Sequence, residues 1–260
     1  DFALEEDEDY EEAIKLCDKI LDFDPRYRQA LTKKVHALGK LELDKKMIEV
    51  SEFAQSILGD DDEVTLTSAQ AEWKVNSGKH IDLINSMLER HGMTKISSSE
   101  HNNSLAIEYI KCETESMRSH NEMVSVIMTV YGKDKYLDVA INSILNQTHT
   151  NLELIIIDDR SPDDAWEYLQ EISKKDSRIK LLQVDENGGT YLAKNLGLTI
   201  ATGDYIAFMD SDDWTHPQRI ERQIGALKSE PGSKAVWNKY FRIDETGNII
   251  FRGKGALRNA

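Results

Sequence analysis

Cysteine is nearly absent from this chain: Cys17 and Cys112 are the only two in 260 residues. Neither stands in a zinc-like or redox-active spacing, so the sequence offers no disulfide framework and no cysteine metal site. Two packed, reduced thiols are expected, as suits a cytosolic protein. Long apolar runs are missing as well. None approaches the roughly 20 residues needed to cross a bilayer. Positive charge is scarce, with 32 Lys and Arg against 47 Asp and Glu for a formal charge of −15. That excludes broad nucleic-acid binding, which needs a cationic surface. It does not exclude a small anionic ligand if a metal supplies local positive charge. No secretory signal is visible, but the chain begins at Asp1 rather than Met, which leaves room for a targeting segment already removed.

What is present fits a globular protein: 40% hydrophobic and 30% charged residues, in a length that holds one large or two modest cores. The most informative stretch runs from Tyr205 to Asp213. An apolar strand, Tyr205-Ile206-Ala207-Phe208-Met209, ends in Asp210-Ser211-Asp212-Asp213. Carboxylates that close repel one another unless water or a cation screens them. The carboxyl ends of strands in open α/β sheets are also where ligands bind.

The chain reads as two halves. From about Asp9 to Gly92 the pattern is helical, with helices expected over Tyr10–Leu21, Tyr27–Leu38, Asp44–Leu58, Thr65–Ser77 and Ile81–Arg90. The acidic run Glu5 to Glu12 reads as a solvated helix start, and Asp60-Asp61-Asp62-Glu63 as the amino-terminal lead of the fourth helix. Ala13, Met47 and Leu83 hold comparable places 34 and then 36 residues apart. With Tyr10, Ile14, Asp24-Pro25 and the turn at Gly78, that period resembles a tetratricopeptide-like array, although Met47 stands where a small residue is expected. An ordinary helical bundle is the alternative. Residues 93–122 read as a linker, with loop at Ser97-Ser98-Ser99 and Asn102-Asn103-Ser104, a linking helix over Leu105–Ile110, and the boundary at Ser119 to Glu122.

From Met123 strands and helices alternate. Val124–Val130, Leu152–Ile157, Ile179–Val184 and Tyr205–Met209 are near-continuous apolar strands. Tyr136–Leu145, Asp163–Lys174, with its cap near Ser161-Pro162, and Gly189–Ala201 are the intervening helices. Such repeated β-α-β units imply a Rossmann-like, mostly parallel sheet with helices on both faces. Parallel strands bring Thr129-Val130-Tyr131, Asp158-Asp159 and Asp210-Ser211-Asp212-Asp213 to one edge, where loop residues build ligand sites. Asp213 is expected to cap the turn into a helix at Pro217, and Trp214 to pack. His80 and His216 are expected at the surface. Gly188-Gly189 reads as a turn before a helix, since it lacks both the P-loop Lys-Ser/Thr pair and the spaced dinucleotide fingerprint.

In order along the chain, Val124–Tyr131, Ser143-Ile144-Leu145-Asn146-Gln147-Thr148, Glu153–Ser161, Asn187–Gly197 and Asp210-Ser211-Asp212-Asp213 with Trp214 and Pro217 resemble a family 2 glycosyltransferase of the GT-A fold. The match runs from about Val124 to Leu227. It implies that Thr129 and Tyr131 lie at the nucleotide base and that Asp159 hydrogen-bonds the base, typically uracil. Lys194 falls near the base or diphosphate, where the family often has Arg with its planar fork. Asp210 is placed by the ribose and metal, and Asp212 as the carboxylate holding Mn²⁺ or Mg²⁺ against two phosphates. Hard oxygen ligands suit those ions.

The family's acceptor part, with the Asp or Glu that deprotonates the acceptor hydroxyl, comes later than this chain reaches. The catalytic base is therefore expected beyond Ala260, and residues 123–260 are read as a donor half truncated at its carboxyl end. A helix over Pro217–Lys228, a strand-like stretch over Lys234–Ile243 and a hairpin at Thr246-Gly247-Asn248 into Ile249-Ile250-Phe251 follow the acidic cluster. The resulting expectation is a helical domain (1–92), the linker and a GT-A domain. Its activity would be inverting transfer from a nucleotide-sugar donor, a UDP-sugar, to a glycan or other hydroxyl acceptor. By resemblance the setting is bacterial surface-polysaccharide synthesis, in the cytoplasm or peripheral at the inner membrane, with a protein partner for the helices. One rival is a non-catalytic helical-repeat scaffold carrying a degenerate transferase domain. A nucleotidyltransferase is the other, for which Tyr131-Gly132-Lys133-Asp134-Lys135 is a poor triphosphate loop.

Overall fold

A computed structural model of the chain describes residues 9–99, 105–113 and 121–250. Residues 5–8 of the acidic run, the Asn102-Asn103-Ser104 loop, Ser119 of the boundary and Phe251 lie outside them. The chain divides into two compact units, Asp1–Glu113 with Lys239–Asn259, and Thr114–Asn238.

The first unit contains the helices α1 (Tyr10–Phe23), α2 (Arg28–Lys40), α3 (Asp44–Leu58), α4 (Asp62–Glu72) and α5 (Ser77–Arg90). Asp9 caps α1, accepting from the Glu12 N–H at 3.0 Å. Asp61 caps α4 through the N–H groups of Glu63 and Val64, so α4 begins three residues before the expected Thr65. Val35, Leu38, Met47 and Ala71 form one core cluster, and Leu31, Ala54 and Val64 another. Leu105–Ile110, expected as a helix, is a turn running into a short strand. That strand, β2 (Ile110–Lys111), pairs antiparallel with β1 (Ser97–Ser98).

The second unit is built on β3 (Val124–Val130), β4 (Leu152–Asp158), β5 (Ile179–Gln183) and β6 (Tyr205–Asp210), parallel in the order β5-β4-β3-β6. Helices α6 (Leu137–Leu145), α7 (Ala165–Ser173), α8 (Thr190–Ile200) and α9 (Arg219–Ser229) complete it. Val126, Met128, Leu154 and Ile156 face one core cluster with residues of α6, α7 and α9. Ile127, Ile155 and Ile157 face the other with Ala193 of α8. The central strands are therefore buried on both faces, which is why their sequences run apolar without alternation. The expected α/β class, a parallel sheet flanked by helices after an all-α region, is the observed one.

In the stretch Lys234–Ile243 only β7 (Arg242–Ile243) is strand, paired antiparallel with β8 (Ile249–Ile250) across a turn at Gly247, φ 87°. Among the described residues no helix is long and apolar enough to cross a membrane.

Candidate functional site

The parallel register sets the strand tips side by side. Thr129 lies opposite Asp210 on β6 and Val130 opposite Asp158 on β4. The Asp159 N–H continues the ladder, donating to the Val130 carbonyl at 2.8 Å. Thr129, Asp159 and Asp210 thus meet at one sheet edge, with Asp212 two residues further along the turn.

Each carboxylate there has a different environment. Asp158 is fully buried. It accepts from the Ser161 hydroxyl and N–H and from Gln183 Nε2 at 2.7 Å. Ser161, expected near the α7 cap, is used to hold this loop instead. Asp159 is buried too, and its two oxygens accept from the N–H groups of Gly188 and Gly189 at 3.0 and 2.8 Å. This fixes the Gly-Gly turn at the start of α8, where Gly189 takes φ 83°. Between these anchors Arg160 sits at φ 59°. A non-glycine residue in that region carries about 1–3 kcal/mol of strain, tolerated only where surrounding contacts fix the backbone.

Asp210 is exposed and pairs with Lys194 of α8, Nζ to Oδ1 at 2.9 Å. Asp212 is exposed and has no hydrogen bond or ion pair among the described residues. Tyr131 is also exposed, at 62%. The loop that follows it is tied to the neighbouring one: the Gly132 N–H donates to Ser161 Oγ at 2.8 Å and the Lys133 N–H to Asp163 Oδ2 at 2.7 Å. The Lys133 N–H foremost, with the Ala165 N–H also donating to it at 3.2 Å, holds the Asp163 carboxyl below its ordinary range.

The fit to a divalent cation follows from these contacts. Among the described residues no group of three or more His, Cys, Asp or Glu side chains could enclose a metal. The turn instead presents one unpaired carboxylate, Asp212, beside a second, Asp210, whose partner is Lys194. That donor set suits a hard cation whose remaining ligands are phosphate and water oxygens.

The sequence placed Gln147 and Thr148 within the family resemblance but assigned them no part in building this edge. Gln147 is fully buried. Its Nε2 donates to the Ser143 and His216 carbonyls, and its Oε1 accepts from the Ile220 N–H. Thr148 donates its N–H to the Pro217 carbonyl at 2.9 Å and its hydroxyl to Glu221 at 2.8 Å. The Gln147-Thr148 pair therefore fastens the segment between the acidic turn and α9. Asp213 does not cap that helix. Its N–H lies 3.4 Å from the Asp210 carbonyl, and α9 begins later, after Gln218, with no side-chain cap. Arg219 was not singled out either. Its Nη1 donates to the Phe208 carbonyl at 3.4 Å, while Nε and Nη2 are buried without an acceptor among the described residues. Burial lowers its pKa to about 10, against the opposing pull of Asp213.

His80 and His216 are buried, not at the surface. The imidazole of His80 lies 2.7 Å from the Ala69 carbonyl. His216 Nδ1 accepts from the Gln218 N–H at 3.2 Å, and its ring meets Trp214 edge-on at 6.0 Å. Each ring finds a backbone partner, so burial leaves it hydrogen-bonded.

Residues 125–255 match the family model for Glycosyl transferase family 2. The chain is 33% identical over 131 residues to glycosyltransferase GlyG of Streptococcus pneumoniae, covering 50% of this chain and 44% of that protein. It is 38% identical over 108 residues to the putative teichuronic acid biosynthesis glycosyltransferase TuaG of Bacillus subtilis, covering 42% of this chain and 43% of TuaG. Among solved structures it is similar to S. aureus TarS 1–349 in complex with UDP-GlcNAc, at 27% identity and a TM-score of 0.39, over 42% of this chain and 32% of that one. The chain spans less than half the length of these relatives.

Proposed function

The chain belongs to glycosyl transferase family 2, and from that membership we propose that it serves an inverting transfer of a sugar from a nucleotide donor, a UDP-sugar, to a hydroxyl acceptor. The observation that carries this reading is the convergence of Thr129, Asp159 and Asp210 on one sheet edge, with Asp212 exposed and unpaired beside them. In this reading Thr129, Tyr131 and Asp159 receive the base, and Asp159 does so while it anchors the Gly188-Gly189 turn. Lys194 brings positive charge to the diphosphate and is held ready by Asp210. Asp212 and Asp210 would hold Mn²⁺ or Mg²⁺. Such a cation stabilises the negative charge that grows on the departing diphosphate. No residue of this chain is assigned as the base that deprotonates the acceptor.

Residues 123–260 then contain the donor-binding part, carried by the segment up to Asn238 because Lys239–Asn259 group with the helical unit; 93–122 are the connection, and 1–92 a tetratricopeptide-like region that meets a partner or a long acceptor. The name of the TuaG relative, a putative teichuronic acid biosynthesis glycosyltransferase, supports a setting in polysaccharide synthesis; a place in the cytoplasm or peripheral at the inner membrane is part of the same proposal.

Thermal shifts with UDP and GDP, each with and without Mn²⁺, test the reading. Metal-dependent stabilisation is expected, largest with UDP and lost in Asp212→Ala. Equal shifts with and without metal, or an undiminished shift in Asp212→Ala, would remove the assigned site.

A further inference from the structure

The helical unit carries a groove that the proposed transfer does not use. α1 and α3 both pack on α2. Between them lies a cleft of about 420 Å³ with Leu21, Leu31, Val50 and Phe53 on its walls. Leu31 is buried at the base, whereas Phe53 remains 46% exposed, a large aromatic surface left in water. The polar rim consists of Asp18, Asp22 and Glu49 with a single cation, Lys34. The Lys34 ammonium is committed to Asp18 at 2.5 Å. Asp22 and Glu49 are exposed and have no hydrogen bond or ion pair among the described residues. An apolar slot with two uncompensated carboxylates at its mouth is therefore built into the helices.

We propose that this groove docks a basic amphipathic helix of another protein. An aliphatic or aromatic side chain of that helix packs against Phe53, and its flanking Lys or Arg residues meet Asp22 and Glu49. Helix-in-groove recognition uses this combination of apolar anchors and charged flanks. Charge selects the occupant. A second copy of this chain, also at −15, and an anionic lipid surface would both be repelled by the rim. The groove's size suits the anchor side chains of one helix turn, whereas a folded domain would cover about 800 Å² on each partner.

The test uses the full chain and a fluorescein-labelled helical peptide with leucines on one face and lysines on the other, read by fluorescence anisotropy. The wild-type chain is expected to bind it. Binding should weaken by at least about tenfold, the equivalent of 1.4 kcal/mol, in the double reversal Asp22→Lys with Glu49→Lys, and separately in Phe53→Ala. A control reversal at exposed acids outside the groove lining, Asp82→Lys with Glu167→Lys, should change it little. Three results would overturn the proposal. The control could weaken binding as much as the groove reversal, which is general charge attraction. Both groove variants could leave the affinity unchanged. Sedimentation or vesicle flotation could show the groove residues serving self-association or lipid binding instead. Unchanged circular dichroism in each variant separates lost docking from lost folding.

Discussion

Glu153 places a carboxylate on a central strand with its side chain only 3% exposed. Burial alone would push its pKa up. The Lys180 ammonium, the Ser125 hydroxyl and the Thr202 N–H and hydroxyl together outweigh that and hold it at about 2, against 4.5 in an unfolded chain. Ser125 donates to it at 2.5 Å and the Thr202 N–H at 2.8 Å. The folded state thus prefers the charged form, so the group's contribution is complete above pH 4.5 and drains away as pH falls toward 2. The size of the shift corresponds to roughly 3 kcal/mol. Glu153→Gln should lower the urea midpoint at neutral pH and flatten the acid limb of stability between those two values. A variant with the wild-type acid limb would show that Glu153 does not carry it. In the sequence the Leu152–Ile157 run marked a buried strand, and that held. The carboxylate's partners were not visible there, because they come from 27 to 49 residues away. The same limit applies at the candidate site. Asp210 and Asp212 announce themselves as an acidic run after a strand. The bond of Asp159 to Gly188 and Gly189, and the burial of Gln147, depend on contacts between distant segments.

At the scale of elements, α8 owes its position to Gly197. A Cβ there would come within 2.8 Å of Ile127 Cγ2 and Ile157 Cδ1, two side chains of the sheet face it covers. The helix can approach this closely only because glycine has no side chain, and its closeness places Lys194 beside Asp210. Gly197→Ala should therefore act in two ways. Overpacking is expected to cost about 1–3 kcal/mol of stability. The outward shift of α8 should also weaken metal-dependent UDP stabilisation, because Lys194 moves with the helix. Chemical denaturation measures the first effect and titration calorimetry the second. A gain in stability would mean that the sheet face yields to the added methyl. Element identity was readable from periodicity wherever burial was one-sided or complete, as in α1–α9 and β3–β6. It failed at Leu105–Ile110 and over much of Lys234–Ile243. Those short apolar stretches satisfy either a helix or a strand pattern, and contacts outside the segment decide between them.

At the scale of the whole molecule, His80 in one compact unit and Glu153 in the other are expected to respond to acid over different ranges. In the helical unit His80 is fully buried. Burial lowers its pKa below 6.5, although the carbonyls of Ala69 and Gly247 pull the other way. The folded form prefers the neutral ring and the unfolded chain takes up the proton more readily. Stability therefore falls as pH drops below 6.5 and continues to fall until the folded pKa is reached. In the unit built on the parallel sheet, the loss that runs through Glu153 sets in below 4.5. His80 also stands at the seam with the β7–β8 hairpin, where Ile249 is fully buried. Gly247 there approaches the Leu105 and Ala106 backbones so closely that a Cβ would lie 2.5 Å from their nitrogens. Two consequences follow. Mild acidification between those values should lower amide protection in α4, α5 and the hairpin while β3 to β6 stay protected. Ile249→Ala, which opens a cavity worth about 2–5 kcal/mol, should reproduce that pattern at neutral pH and leave the UDP response of the other unit intact. Hydrogen exchange followed by mass spectrometry resolves both units in one experiment. If the sheet loses protection first, or both units lose it together, the titrating group is not His80 and the hairpin is not a fastening of the helices alone.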